Sequence, residues 1–405
     1  MGVTLDTSPP ATTTLATLRS VIEPLAALER GAGSEGEREA AQQLQEMFKR
    51  AGVRAQVDEE WFHPGYAKLL MPLGVVGLTA GLAASRGRRH RLLGLLSALA
   101  TYVLIDDVEN GRRMYRKAVS KAQKTWNVVA QAGDPDAQRT FVVLAHHDAA
   151  PTGQIFDQSG QRWVAEHYPQ VIEKRDTGVP FWWPAAAGTG LAALGALTGR
   201  RRFARLGATL SALNVGLGAD IARDRIVPGA NDNLSGVGVL VALAERLSKE
   251  PVSGVRILLA SCGAEEVLQG GIYGFVERHL KPLDPEHVSI LNVDTVGSPQ
   301  LILVEGEGPF VMHDFDAGWC DTIARVAERA TGEPLRRGTR ARASSDSIVP
   351  SRAGYKTAMI GSWEPESKAI SNYHLPSDTP DKLRYATIER AVDIAEGLVH
   401  ELASA

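Results

Sequence analysis

Three short, mostly apolar runs in this chain each lead into titratable residues. Phe141-Val142-Val143-Leu144-Ala145 runs into His146-His147-Asp148, Val255 to Leu259 precedes the pair Glu265-Glu266, and Val288 to Val293 stops at Asp294. Runs of this length bounded by turn residues read as buried strands. The stretch 53–62 alternates like a half-exposed strand, and 125–133, 301–305 and 356–360 read as further strands. Helical periodicity fills the intervals. Ser34 and Glu37 make a capping box for a helix over 34–51, in which Ala40, Leu44, Met47, Phe48 and Ala51 share one face and Gly52 marks the end. Further helices are expected over 237–247, 273–280, 317–330 and 385–402. Strands alternating with helices predict an α/β fold, a mostly parallel mixed sheet sandwiched by helices.

Two regions break that rhythm. Leu69–Ser85 and Leu92–Ile105 are uncharged and rich in Leu, Gly and Ala, with "RGRRHR" between them; Val179–Gly199 and Leu206–Ala219 repeat the pattern around "RRRFAR". The second arms share residues, "RLLGLLSAL" against "RLGATLSAL", a weak internal repeat. They predict two apolar helical hairpins, over 66–122 and 151–225, inserted into a main domain made of 1–65, 123–150 and 226–405. Val179–Gly199 is long enough to span a bilayer core, whereas Leu92–Ile105 and Leu206–Ala219 are short for it. Apolar character all round these segments, arginines at the tips and the Trp182-Trp183 pair favour membrane association with open orientation. A soluble cap packed on itself or on a twin subunit, in a cytoplasmic protein, is the alternative.

Composition narrows the rest. With 44% hydrophobic and 22% charged residues the chain is globular, and a net charge of −3 gives no reason to expect a nucleic-acid partner. Cys262 and Cys320 make neither a disulfide framework nor a zinc-finger spacing. The N-terminus lacks the basic-then-apolar pattern of a signal peptide, and Gly2 is a weak myristoylation signal.

The chemistry lies in polar residues placed at the expected strand ends: His146 and Asp148, Asp232 in "GANDN", Glu265-Glu266, Asp294, and His374 in "NYHLPSDTPDKL". The carboxyl ends of strands are where α/β sheets bind ligands. Two histidines with several carboxylates suit zinc or a similar divalent ion, and the count fits a co-catalytic pair bridged by one carboxylate.

Taken in order, these motifs resemble the zinc-dependent family that includes bacterial dizinc aminopeptidases and glutamate carboxypeptidase II. The resemblance covers 34–65, 123–149 and 226–405 and leaves the hairpins unmatched. It implies a hydrolase-like peptidase core with two zinc ions: His146 and Asp294 on one, Glu266 and His374 on the other, Asp232 bridging. Asp148 is then the carboxylate behind the His146 imidazole, and Glu265 the general base and acid in attack by a metal-bridging hydroxide. A cis peptide between Asp232 and Asn233 is also implied. One position departs from the pattern: the family's serine-aspartate stretch is followed by His or Tyr, and here by Ser347, with Tyr373 a candidate substitute.

The expected function is a dizinc exopeptidase on peptide or amide substrates, most readily an aminopeptidase. Alternatives are a carboxypeptidase or amidohydrolase on the same metals, or a catalytically dead membrane receptor or scaffold; a homo-oligomer is open. Cys262 reads as a core thiol, His147 as pointing away from its neighbours' ligand, and His167 and His313 as surface or packing residues.

Overall fold

In the computed structural model, residues 13–404 are described, and the N-terminal readings on signal peptide and Gly2 lie outside them. A nine-stranded sheet runs in the order β1-β2-β4-β3-β5-β9-β6-β7, with β8 also paired to β6. The strands are β1 (Arg54–Phe62), β2 (Gln123–Gly133), β3 (Thr140–His146), β4 (Arg256–Cys262), β5 (Val288–Val293), β6 (Gln300–Glu307), β7 (His313–Asp314), β8 (Arg336–Ala341) and β9 (Lys356–Trp363). The centre, β4-β3-β5-β9, is parallel, while β1 and β2 on one flank and β6 on the other join antiparallel.

The helices that matter here are α1 (Thr13–Ala26), α2 (Glu35–Arg50), α3 (Ala67–Ala84), α4 (Arg91–Val108) and α5 (Trp183–Thr198). They continue with α6 (Arg201–Ile221), α7 (Ser235–Lys249), α8 (Ala317–Thr331) and α9 (Tyr385–Ser404). Strand side chains alternate between two cores. Phe141, Val143, Ala145, Ile257 and Leu259 pack with α1, α2, α7, α8 and α9. Val142, Leu144, Leu258, Ala260 and Cys262 face the other way, onto Ile272, Phe275 and Leu280. Both faces are covered, which is why these strands lack polar alternation.

Four of the helices leave the sandwich. Helices α3 and α4 follow β1, α5 and α6 follow β3, and together they form one four-helix unit. Its contacts depend on small residues: a Cβ on Gly207 would lie 2.2 Å from the Ala192 nitrogen, and one on Gly195 2.4 Å from the Ala204 nitrogen. The two arginine-rich connections lie at the same end, where the His90 N–H donates to the Ala196 carbonyl at 2.8 Å. At the other end Tyr66, just before α3, meets Trp182, just before α5, edge to face at 5.6 Å between ring centroids.

Two expectations need correction. The candidate span Val179–Gly199 begins as a helix only at Trp183 and has 16 residues; Pro184 in its first turn has no N–H to bond the Pro180 carbonyl. Among the described residues one helix, α3, is long and apolar enough to cross a membrane, and half of it is buried. The stretch 151–225 also carries short helices at Ser159–His167 and Pro169–Glu173 that its composition did not announce.

Candidate metal centre

His146 ends β3 beside Cys262 of β4, and Asp294 follows β5 directly, so the parallel strands deliver them to one edge of the sheet. Asp232 and His374 arrive differently, and the expectation of strand ends fails for both. Asp232 lies in an irregular turn, Ala230–Leu234, that opens α7, and the Asp232–Asn233 peptide is cis. His374 lies in a turn beyond β9 with a left-handed φ of 53°. Loops reach the cleft from outside the sheet; strands supply only the floor.

All four side chains are buried, and so are Asp148, Glu265 and Glu266. Ligand atoms of His146, Asp232 and Glu266 lie within 4.8 Å of one another. Asp232 sits between the two imidazoles, with Oδ1 3.3 Å from His146 Nε2 and Oδ2 3.2 Å from His374 Nε2. Glu266 Oε2 is 3.1 Å from the same His374 nitrogen. Yet neither nitrogen of His146 or His374 has a hydrogen-bond partner, and Glu266 Oε1 has none either. Buried polar atoms are rarely left so.

Electrostatics points the same way. Burial, reinforced by Asp232 and Glu266, pushes the Asp294 carboxyl well above the usual range. Burial, with Asp346 and Glu266, does the same to Glu265. Burial also opposes ionisation of Asp232, but His146 and His374 hold it well below the usual range. Converging imidazoles and carboxylates with orphaned lone pairs fit divalent cations, whose charge would offset this crowding.

The supports around these groups come from distant segments. Asp148 Oδ1 lies 3.3 Å from His146 Nδ1 and also accepts the Glu265 N–H at 3.0 Å, while its Oδ2 accepts the Glu266 N–H at 3.0 Å. One carboxylate thus faces the imidazole and holds the loop with the glutamates. Glu37 departs from the expected capping box. The Ser34 hydroxyl does accept the Glu37 N–H at 3.1 Å, but the carboxylate takes the N–H of Gly33 and, at 2.7 Å, that of Ala264. It props the same loop. Arg30, fully buried, donates to the carbonyls of His147, Pro228 and Gly229, joining the end of β3 to the Asp232 turn. Sequence reading missed Arg30, and also Asp378, whose carboxylate accepts the N–H groups of Asn231 and Asp232, since a single Arg or Asp in a loop carries no motif.

The histidine beside the ligand goes elsewhere: His147 Nδ1 lies 2.9 Å from Ser261 Oγ, and burial drives its pKa down to about 4. Cys262 packs in the core, where burial pushes its thiol up. Ser347 is buried with its hydroxyl 3.0 Å from that of Ser345, which donates to Glu307. Tyr373 stacks on His374 with ring centroids 4.0 Å apart. It shares the cavity around Glu265 and Glu266 with Tyr66 and Trp182, which directly precede α3 and α5.

A sheet whose strand ends and flanking loops gather ligand-competent histidines and carboxylates beside one further buried glutamate fits a metal-dependent hydrolase of the α/β class. Residues 215–399, less than half of the chain, match the model of Peptidase family M28. Solved structures share the fold. A Zn-dependent exopeptidase from Parabacteroides distasonis aligns at TM-score 0.55 and 12% identity, covering 97% of this chain and 99% of its own. The zinc aminopeptidase of Bacillus subtilis aligns at 0.55 and 15%, covering 96% and 94%. A glutaminyl cyclase from Bacteroides thetaiotaomicron aligns at 0.59 and 11%, covering 97% and 99%. Among curated proteins none matches.

Proposed function

We propose that the chain is a dizinc exopeptidase that removes residues from the amino end of peptides. The observation that carries this is the buried His146–Asp232–Glu266 cluster with its orphaned ligand atoms, set beside a glutamate that has no place in it. In this reading Asp232 bridges, His146 and Asp294 complete one site, and Glu266 and His374 the other. When bound, the ions polarise the scissile carbonyl and acidify the attacking water. Glu265 takes the proton of that water and hands it to the leaving amine, its burial favouring the protonated form needed for the second transfer. Tyr66 and Tyr373, which line the same cavity, offer hydroxyl donors for the developing oxyanion in place of the side chain missing at Ser347.

The amino end is favoured over the carboxyl end by what lines the cavity. Among the described residues, the small cavity lined by Glu265, Glu266, Tyr373 and His374 has no Lys or Arg to receive a terminal carboxylate, and Lys68 lines only the larger cleft that Glu266 also borders. The experiment is a panel of aminoacyl, N-blocked and N-terminal glutaminyl peptides with zinc and with chelator. Chelator-sensitive release of free amino acids from aminoacyl substrates alone is expected. Turnover confined to blocked peptides, or cyclisation of the glutaminyl ones, would replace the reading.

The four-helix unit supports a second element, attachment to an anionic membrane surface. On α4, Leu92, Leu95, Leu96, Leu99 and Tyr102 lie exposed on one face, with Leu206 and Leu213 exposed on α6. The arginine-rich ends beside them suit lipid headgroups.

A further inference from the structure

The loop after β4 has an unusual backbone. Ala264, Leu268 and Gln269 all take left-handed φ values, 55°, 72° and 56°, although none is glycine. Conformations of this kind persist where surrounding contacts hold them. Glu37 holds Ala264, and at the far side of the loop the contacts come from the first insertion. Arg113 donates to the Leu268 carbonyl at 2.6 Å, and Arg116 to that of Val267 at 2.9 Å. Arg116 is itself locked by a buried ion pair with Asp107, at the end of α4, at 2.9 Å.

The outcome of that geometry is where the Gln269 side chain goes. Its amide nitrogen donates to Glu265 Oε1 at 2.9 Å and to the Ser344 carbonyl at 2.8 Å. Its oxygen accepts the Asn110 amide at 2.9 Å, and Asn110 Oδ1 accepts the Tyr273 hydroxyl at 2.9 Å. The orientation is forced. Turned over, the Gln269 oxygen would face two acceptors and its nitrogen would face a donor.

We propose that Gln269 is a positioning residue for Glu265, with Asn110 of the first insertion holding it in place. The proposal rests on the reading of Glu265 as the proton carrier. Gln269 fixes Glu265 Oε1 with a donor and leaves Oε2 free of that bond. The same bond restrains the carboxylate's rotation. Neither Gln269 nor Asn110 is among the ligand residues, so the effect belongs in turnover and not in metal binding.

The test compares Gln269→Leu, which keeps the bulk and loses the bonds, with Glu265→Gln in the zinc-loaded full chain. Gln269→Leu should lower kcat by about ten- to a hundredfold, the range expected when a reacting group is misplaced. KM should stay within about twofold on this reading, because substrate contacts are untouched. Bound zinc should equal that of the unaltered protein. Asn110→Gly, chosen because Asn110 has a φ of 54° that glycine accepts freely, should give a smaller loss. Adding it to Gln269→Leu should cost nothing more, since it acts through the residue already removed. Full kcat in Gln269→Leu, loss of zinc, or additive losses in the double variant would each overturn the proposal. If Glu265→Gln is inactive while Gln269→Leu is fully active, positioning fails and the assigned base stands. If Glu265→Gln is itself active, the base assignment fails. Should Gln269→Leu not fold, Asn110→Gly alone decides: an unchanged kcat sinks the idea.

Discussion

The carboxylate of Asp378 accepts the backbone N–H of Asp232 at 3.1 Å, and that of Asn231 at 2.8 Å. It is buried, and burial pushes its pKa up to about 7 against the pull of those two donors. The proposed bridging ligand is therefore aimed by a residue 146 positions further along the chain. Asp378→Ala leaves two buried N–H groups unpaired, at about 1–3 kcal/mol each. Zinc affinity should fall by about ten- to a hundredfold, as when outer-shell partners of metal ligands are removed. Competition with a zinc chelator measures it, and unchanged affinity would mean that the turn holds itself.

Adjacent glutamates should fail in different ways. Glu265→Gln is expected to cut kcat by about a hundredfold to ten-thousandfold, the span of general acid–base contributions, with zinc content preserved. Glu266→Gln is expected to lose one zinc per chain. Metal analysis of both purified variants separates the roles, and equal zinc loss in both would merge them.

The buried pair Arg116–Asp107 should matter for stability as a unit. Asp107→Asn strands a guanidinium that is 3% exposed, and breaking such a pair costs about 3–5 kcal/mol. Denaturant unfolding reads this directly. A cost below about 1 kcal/mol, as for surface pairs, would show that the carbonyls bonded to Arg116 are sufficient partners.

Gly207→Ala sets two effects against each other. Helix propensity favours alanine by about 1 kcal/mol. The new Cβ, however, would sit 2.2 Å from the backbone nitrogen of Ala192, and backbone cannot move aside as a side chain does. Overpacking costs of about 1–3 kcal/mol should prevail. A lowered urea midpoint is expected, and a raised one would mean that α5 and α6 are not packed this closely.

Leu95→Glu with Leu99→Glu alters only the exposed face of α4. Peptidase activity and unfolding midpoint should stay unchanged. Flotation with vesicles containing anionic lipid should be lost, and flotation that persists would dissociate this face from the membrane.

The ladder of the sheet was legible because strands buried on both faces must be apolar throughout. Phe141 to Ala145 therefore announces a central strand before any neighbour is known. Small-residue helices were equally plain as segments, but not their ends: Pro184 shortens α5, and only the helix start shows it. The chemistry of the site was written in residue types, since imidazoles and carboxylates in that order have few other uses together. What the sequence could not contain is who supports whom. Asp148 serving both His146 and the glutamate loop, Glu37 reaching Ala264, Arg30 joining two loops and Gln269 touching Glu265 are contacts between segments far apart in the chain, or products of left-handed backbone that no local propensity favours. Hydrogen bonds of this kind depend on where folding brings a donor and an acceptor. Residue identity determined the ligands on offer; the tertiary structure decided which of them meet and what holds them there.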